Sequence, residues 1–246
     1  MMHFRSHRGG AYYTPENTMP AFRDALAKGF DVIETDPTLT KDGVIVLSHD
    51  ATVNRCLRHA DGSVIEEQQC IVDLTYEQLM EYDAGLVKGE AFRGTKVPTL
   101  EELFVAADGT DTVICIDKYV KWHDGETLDA LFALVKRYNV KVSYLVETME
   151  QIERVQKRDP DALIDWDGLS DEETLKAVCS KVKYENLVVW LYMDKPNFAW
   201  LKEPLRKTSK ENCARVKRYA RLGISNVSNP YDVWEAFGFE PYIIEV

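Results

Sequence analysis

Three short apolar runs near the start of the chain each end in groups suited to an anionic ester. The first ends in His7 and Arg8, the second in Glu34 and Asp36, the third in His49 and Asp50. Imidazole, with an unperturbed pKa near ~6.5, can take and give protons near neutrality. Glu34 and Asp36 stand at i and i+2, so on a strand they face the same way, about 6–7 Å apart. Carboxylates at that spacing can converge on one hard cation, whose oxygen ligands lie ~2.0–2.6 Å away. Arg8 offers a planar fork for two phosphate oxygens, and Gly9 and Gly10 let the backbone come close. A lone E-x-D pair is most simply a solvated surface feature, and a lone histidine a structural residue. Here each stands at the end of a strand-like run, and together they predict a phosphate-ester site with an acid–base pair, metal ligands and a cation. His3, His59 and His123 lack that context and read as surface or packing residues.

The elements that must position these groups can be read from the pattern of apolar residues. Strand-like runs are expected at Phe4–His7, Asp31–Asp36, Val44–His49, Thr112–Asp117, Lys141–Val146, Ala162–Asp165, Leu187–Tyr192 and Ile224–Val227. Helical faces follow most of them: Phe22, Ala25 and Leu26; Leu128, Leu131, Phe132 and Val135; Leu175, Val178, Cys179 and Val182. Pro20 belongs in a first turn capped by Asn17 or Thr18. Thr75/Gln78, Thr99/Glu102, Thr148/Gln151 and Ser170/Glu173 have the spacing of capping boxes. Strands alternating with helices imply a parallel sheet, and eight such units a TIM (β/α)8 barrel, whose active sites lie at the C-terminal ends of the strands. Only Pro37–Gly43 separates the second and third runs, too little for a helical crossover. The stretch 51–96 is long, with one clear short helix, and reads as a small capping insertion after the third strand. No linker divides residues 1–246, so a single domain is expected.

Bulk properties narrow the function. The chain has 246 residues, 45% hydrophobic and 29% charged, ordinary for a globular protein with a substantial core. A formal charge of −11 argues against a nucleic-acid or anionic-membrane surface. An acidic protein that binds an anion must gather positive charge locally. The five cysteines are scattered and never spaced as CxxC, which fits packing in a reducing compartment. No signal peptide is visible and no apolar run approaches the ~20 residues of a membrane helix, so a cytoplasmic protein without membrane insertion is expected.

The motifs carry a resemblance. The chain is similar to the glycerophosphodiester phosphodiesterase family through His7-Arg8-Gly9, Pro15-Glu16-Asn17-Thr18, the stretch Gly29-Phe30-Asp31-Val32-Ile33-Glu34-Thr35-Asp36, Thr40-Lys41-Asp42-Gly43, and His49-Asp50 with Arg55. Leu74-Thr75-Tyr76-Glu77-Gln78-Leu79 and Val97-Pro98-Thr99-Leu100-Glu101-Glu102-Leu103 extend it, dense over residues 4–118 and thin beyond. The resemblance implies a TIM barrel with a capping insertion and a divalent cation, Mg²⁺ or Ca²⁺. The implied reaction is hydrolysis of a small-molecule glycerophosphodiester to sn-glycerol 3-phosphate and an alcohol. Carried over, His7 and His49 are the acid–base pair, Arg8 a phosphate contact, and Glu34 and Asp36 metal ligands.

One strand departs from the family pattern. Where the family usually shows E-x-K, this chain has Cys115-Ile116-Asp117-Lys118. Asp117 is the nearest replacement ligand, and Lys118 keeps the cation that binds substrate. Adjacent strand residues point to opposite faces, so both reach the site only if the strand bends or ends there. Glu147, Asp165, Trp166, Trp190, Tyr192 and Asn226 lie near later strand ends, where pocket lining competes with simple packing. Two alternatives remain at this level: a phospholipase D-like enzyme on lysophospholipid or sphingolipid, and a phosphodiester-binding barrel that has lost turnover.

Overall fold

The computed structural model describes residues 2–195 and 202–246. The strands are β1 (His3–Ser6), β2 (Val32–Thr35), β3 (Pro37–Leu39), β4 (Ile45–Leu47), β5 (Val113–Ile116), β6 (Lys141–Val146), β7 (Leu163–Trp166), β8 (Leu187–Tyr192), β9 (Arg221–Ser225) and β10 (Ile243–Glu245). Eight of them form a closed parallel barrel in the order β1-β10-β9-β8-β7-β6-β5-β2. This is the (β/α)8 architecture expected from the alternation of strands and helices.

Two strand assignments differ from the sequence expectation. The Val44–His49 run is not a barrel strand: β4 pairs antiparallel with β3, Pro37 opposite Leu47 and Leu39 opposite Ile45. A tight turn joins them, with Gly43 N–H donating to the Thr40 carbonyl at 3.0 Å and Gly43 at φ +80°. So short a connection permits a hairpin and not a parallel crossover. The insertion at 51–96 therefore follows a hairpin, between the second and third barrel strands. The eighth barrel strand is β10, which sequence reading passes over, and the run at Ile224–Val227 begins earlier, as β9.

The chain divides into two compact units: Met1–Arg5 with Val120–Asp129 and Val142–Val246, and Ser6–Tyr119 with Ala130–Lys141. In the first, β7, β8 and β9 run in parallel register, with Asp165 beside Val188 and Trp190 beside Gly223. Its interior holds charge. Buried Arg5 pairs with Glu245 at 2.6 Å and stacks its guanidinium 3.4 Å from the Trp190 ring centre, while Trp190 donates to Asp165 at 2.7 Å. Thr148 and Gln151 make the expected capping box. Ser170 does not: Asp171 caps the helix Glu172–Lys181, and the Ser170 hydroxyl donates instead to the Leu205 carbonyl. A residue just before the first turn was competing for the cap, and the acceptor-only carboxylate took it.

The second unit carries β2 and β5, paired from Val32–Val113 to Thr35–Ile116. The helix Met19–Ala27 buries Ala21, Phe22 and Ala25, with Pro20 in its first turn after Thr18. Thr99 with Glu102 and Thr75 with Gln78 form complete capping boxes. Residues 51–96 build a small core from Val53, Leu57, Ile65, Ile71, Leu79 and Ala84, packed with Val46 and Val97. Asp83 ties their loops, accepting from the Gly85, Leu86 and Gly94 amides at 2.6–2.9 Å. All five cysteines are free thiols, with Cys115 and Cys213 buried. Among the described residues, no helix is long and apolar enough to cross a membrane.

Candidate active site

The residues singled out for chemistry all fall in the second unit. At the end of β1 the chain enters a single turn, His7–Gly9, in which Arg8, Gly9 and Gly10 have φ of +52°, +79° and +107°. Gly9 has to be glycine, because a Cβ there would lie 2.8 Å from the Phe22 ring. The turn aims the Arg8 amide at Glu34, which accepts from it at 2.7 Å. A His7 ring nitrogen lies within 4.8 Å of a Glu34 oxygen.

Glu34, Asp36 and Asp117 each offer a carboxylate oxygen, all within 4.8 Å of one another. Glu34 and Asp36 are 2% and 1% exposed, so their charges are held away from water. That is costly unless positive or hydrogen-bonding groups surround them. Around Asp36, Asn17 Nδ2 donates at 2.8 Å, Lys118 Nζ lies at 2.9 Å and Arg8 Nε at 3.6 Å. Burial would raise the Asp36 pKa, but Lys118, His49, Arg8 and Asn17 more than offset it and hold the carboxyl below its usual range. Three hard oxygen donors, two buried and Asp117 partly exposed, fit a divalent cation such as Mg²⁺ or Ca²⁺.

Asp117 and Lys118 both reach this cluster because β5 ends at Ile116. Lys118 takes φ +62°, a left-handed turn that cancels the alternation of a strand. Its amide donates to Asp117 at 2.5 Å, and its ammonium meets Asp36 and the His49 carbonyl, the latter at 3.0 Å. Ile116 is fully buried in the core.

His49 follows β4, and its Nδ1 lies 2.7 Å from Asp50 Oδ1. Burial, together with the Arg8 and Lys118 charges, lowers the His49 pKa more than Asp36 and Asp50 raise it, which favours the neutral ring. A neutral imidazole can accept a proton.

The sequence marks Glu16 and Arg55 only as parts of motifs, Asn17 as a possible helix cap and Asp50 as a group at the end of a run; Thr18, not Asn17, takes the cap position. The structure gives each of the four a role. Asn17, at φ +54°, accepts from Thr35 Oγ1 and the Asp36 amide while donating to the Asp36 carboxylate. It fixes that carboxylate in place. Glu16 bonds both Arg8 and Arg55, and Arg55 in turn bonds Asp50. Burial would raise the Glu16 pKa, yet Arg55 and Arg8 bring it down to about 2. The nearby Cys56 thiol, by contrast, is pushed up to about 12 by burial and the Glu16 charge, so it is an inert neighbour.

The later candidates lie in the first unit. Trp166 and Trp190 are buried packing residues whose indole N–H groups bond the Leu169 carbonyl and Asp165. The Tyr192 hydroxyl bonds Asp167, which pairs with Arg206 at 2.7 Å. Glu147 pairs with Lys121 at 2.7 Å, and Asn226 sits at a left-handed turn.

The model of the glycerophosphoryl diester phosphodiesterase family matches residues 7–167. A glycerophosphodiester phosphodiesterase from Caldanaerobacter subterraneus subsp. tengcongensis is 40% identical over 112 residues, covering 46% of this chain and 43% of the relative. The chain thus spans less than half the length of that curated relative. Among solved structures, a putative glycerophosphoryl diester phosphodiesterase from Silicibacter pomeroyi superposes with a TM-score of 0.79 at 20% identity, covering 100% of this chain and 89% of that one. An Oleispira antarctica phosphodiesterase in complex with the product sn-glycerol-3-phosphate gives 0.75 at 15% identity, covering 99% and 92%. At these identities the superpositions speak for the barrel fold.

Proposed function

The chain belongs to the glycerophosphoryl diester phosphodiesterase family, and from that premise we propose that it hydrolyses a glycerophosphodiester to sn-glycerol 3-phosphate and an alcohol. The observation that carries the reading is the convergence of Glu34, Asp36 and Asp117 beside Arg8, Lys118 and His49. One protein segment thus supplies metal ligands, cations for a phosphate and an imidazole.

Glu34, Asp36 and Asp117 would hold the divalent cation, Mg²⁺ or Ca²⁺. When bound, such a cation polarises the phosphoryl oxygen and favours a deprotonated nucleophile. The other residues do their own work. Arg8 and Lys118 neutralise the phosphate's non-bridging oxygens and orient the diester. His7 and His49 form the acid–base pair: one takes the proton of the attacking water or substrate hydroxyl, the other gives a proton to the departing alkoxide. Asn17 keeps Asp36 from rotating. Residues 1–246 act as one catalytic domain, with residues 51–96 as its cap.

The test is release of glycerol 3-phosphate from choline, ethanolamine, inositol and glycerol diesters, after EDTA treatment and with Mg²⁺ or Ca²⁺ restored. Metal-restored release is expected from at least one diester. A folded protein that binds the diesters and releases nothing with either metal would overturn the reading.

A further inference from the structure

Five side chains of the second unit form a line of polar contacts from Arg8 to His49. Glu16 Oε1 accepts from Arg8 Nη1 at 2.9 Å and from Arg55 Nη2 at 2.7 Å, and its Oε2 accepts from Arg55 Nη1 at 2.8 Å. Arg55 turns its other edge to Asp50, with Nε 2.6 Å from Oδ2 and Nη2 2.9 Å from Oδ1. Asp50 Oδ1 then meets His49 Nδ1 at 2.7 Å. Arg55 comes from the segment that follows the hairpin, and it is about half exposed. Both ends of the line adjoin the carboxylate cluster: Arg8 Nε lies 3.6 Å from Asp36, and Lys118, which pairs with Asp36, donates to the His49 carbonyl at 3.0 Å.

We propose that Arg55 is a positioning residue that locks the phosphate-binding Arg8 and the proton-transferring His49 in one register. The inference rests on the phosphodiesterase reading above. Its physical basis is the guanidinium itself, a rigid plane with five N–H donors that grips two carboxylates at once. A lysine ammonium in its place is a point charge and fixes neither carboxylate's orientation. Through Asp50 the effect reaches the imidazole. An ionised carboxylate can only accept, so the contact requires the proton on Nδ1 and leaves the Nε2 lone pair for the reaction. Through Glu16 it reaches Arg8, whose fork would otherwise swing about a flexible stem. Removing Arg55 leaves in place the residues assigned to the metal and the phosphate, yet it frees both ends of the line.

Two measurements decide between this and an arginine that only pins the insertion. Steady-state kinetics on a cleaved diester would compare Glu16→Gln, Asp50→Asn and their double variant, each with Arg55 intact and with Arg55→Ala. Arg55→Ala is expected to lower kcat about 10- to 100-fold with KM little changed, and Arg55→Lys not to restore it. The Glu16→Gln and Asp50→Asn effects on kcat are expected to be non-additive with Arg55 present and additive without it. Additivity in both backgrounds overturns the proposal, as does an Arg55→Lys enzyme with full kcat. The second measurement needs no turnover. Nitrogen-15 spectra of His49 at about pH 8 should show the Nδ1–H tautomer, lost or mixed in Asp50→Asn and Arg55→Lys. An Nε2–H ring in the unaltered protein overturns the proposal even if the enzyme is active. A protein that cleaves no diester but keeps the Arg55-dependent tautomer would sink the phosphodiesterase reading alone.

Discussion

Lys118 Nζ lies 2.9 Å from Asp36 Oδ1, and the backbone reaches that position through a left-handed turn at Lys118 itself. A non-glycine residue at φ +62° carries a conformational cost of roughly 1 kcal/mol or more. That cost is accepted where Asp117 and Lys118, neighbours in sequence, must serve the same cluster.

A pair of substitutions at this position should separate backbone from charge. Lys118→Ala and Lys118→Gly both remove the cation and should both lower glycerophosphodiester turnover, by about 100-fold or more. Lys118→Gly also relieves the left-handed strain, so it should be more stable than Lys118→Ala by roughly 1 kcal/mol. Urea unfolding midpoints of the two variants check this. Equal midpoints would mean the turn is not strained.

The imidazoles should be indispensable to turnover and dispensable to folding. His7→Ala and His49→Ala are each expected to lower kcat by about 10²–10⁴-fold, with an unchanged far-ultraviolet circular dichroism spectrum. A near-wild-type rate in either variant removes that histidine from the acid–base pair.

Asp117 is proposed as the third ligand because β5 ends at Ile116 and its carboxylate lies within 4.8 Å of those of Glu34 and Asp36. Asp117→Asn and Glu34→Gln should each raise the Mg²⁺ or Ca²⁺ concentration needed for half-maximal activity, by about tenfold or more, since a neutral amide is a weaker oxygen donor than a carboxylate. If metal titrations of Asp117→Asn overlay those of the unaltered enzyme, the third ligand lies elsewhere.

What the sequence disclosed follows from where information is local. His7, Arg8, Glu34 and Asp36 could be placed because each stands at the end of an apolar run, and strand period alone sets the spacing of Glu34 and Asp36. Asp117 with Lys118 was ambiguous, because alternation forbids both on one face and only the φ of Lys118 resolves it. Asn17 meets Asp36 across 19 positions and Glu16 meets Arg55 across 39, which no local pattern records. The Val44–His49 run looks like a barrel strand because apolar character does not encode strand direction, although the short link to the preceding run leaves no room for a helical crossover. The last strand, Ile243–Glu245, has three residues and carries a buried Glu245 whose partner, Arg5, lies at the other end of the chain.

Glu16 links stability to pH. Its pKa falls from an ordinary 4.5 to about 2, since the pairing with Arg55 and Arg8 outweighs burial. A carboxyl with a depressed folded-state pKa contributes stability above its unfolded pKa and loses it as pH falls through the folded value. The contribution is therefore complete near neutrality and disappears between about pH 4.5 and 2. Glu16→Gln should be less stable than the unaltered protein at pH 7, and the gap in urea midpoint should narrow across that window. A constant gap down to pH 2.5, or one that widens, contradicts the ion-pair account.

Gly223 tests the packing that supports the barrel's interior charges. It lies beside Trp190 in the β8–β9 register, and a Cβ there would come 2.6 Å from the indole ring. The indole cannot yield freely, because Arg5 stacks 3.4 Å from its ring centre and Asp165 accepts its N–H at 2.7 Å. Gly223→Ala should therefore destabilise the fold by roughly 1–3 kcal/mol, the usual cost of overpacking. If the clash is with the indole, Trp190→Leu should suppress it: adding Gly223→Ala to Trp190→Leu should cost less than adding it to the unaltered protein. Thermal melts of the four proteins give that comparison, and additive losses would place the strain in the backbone of β9 rather than against Trp190.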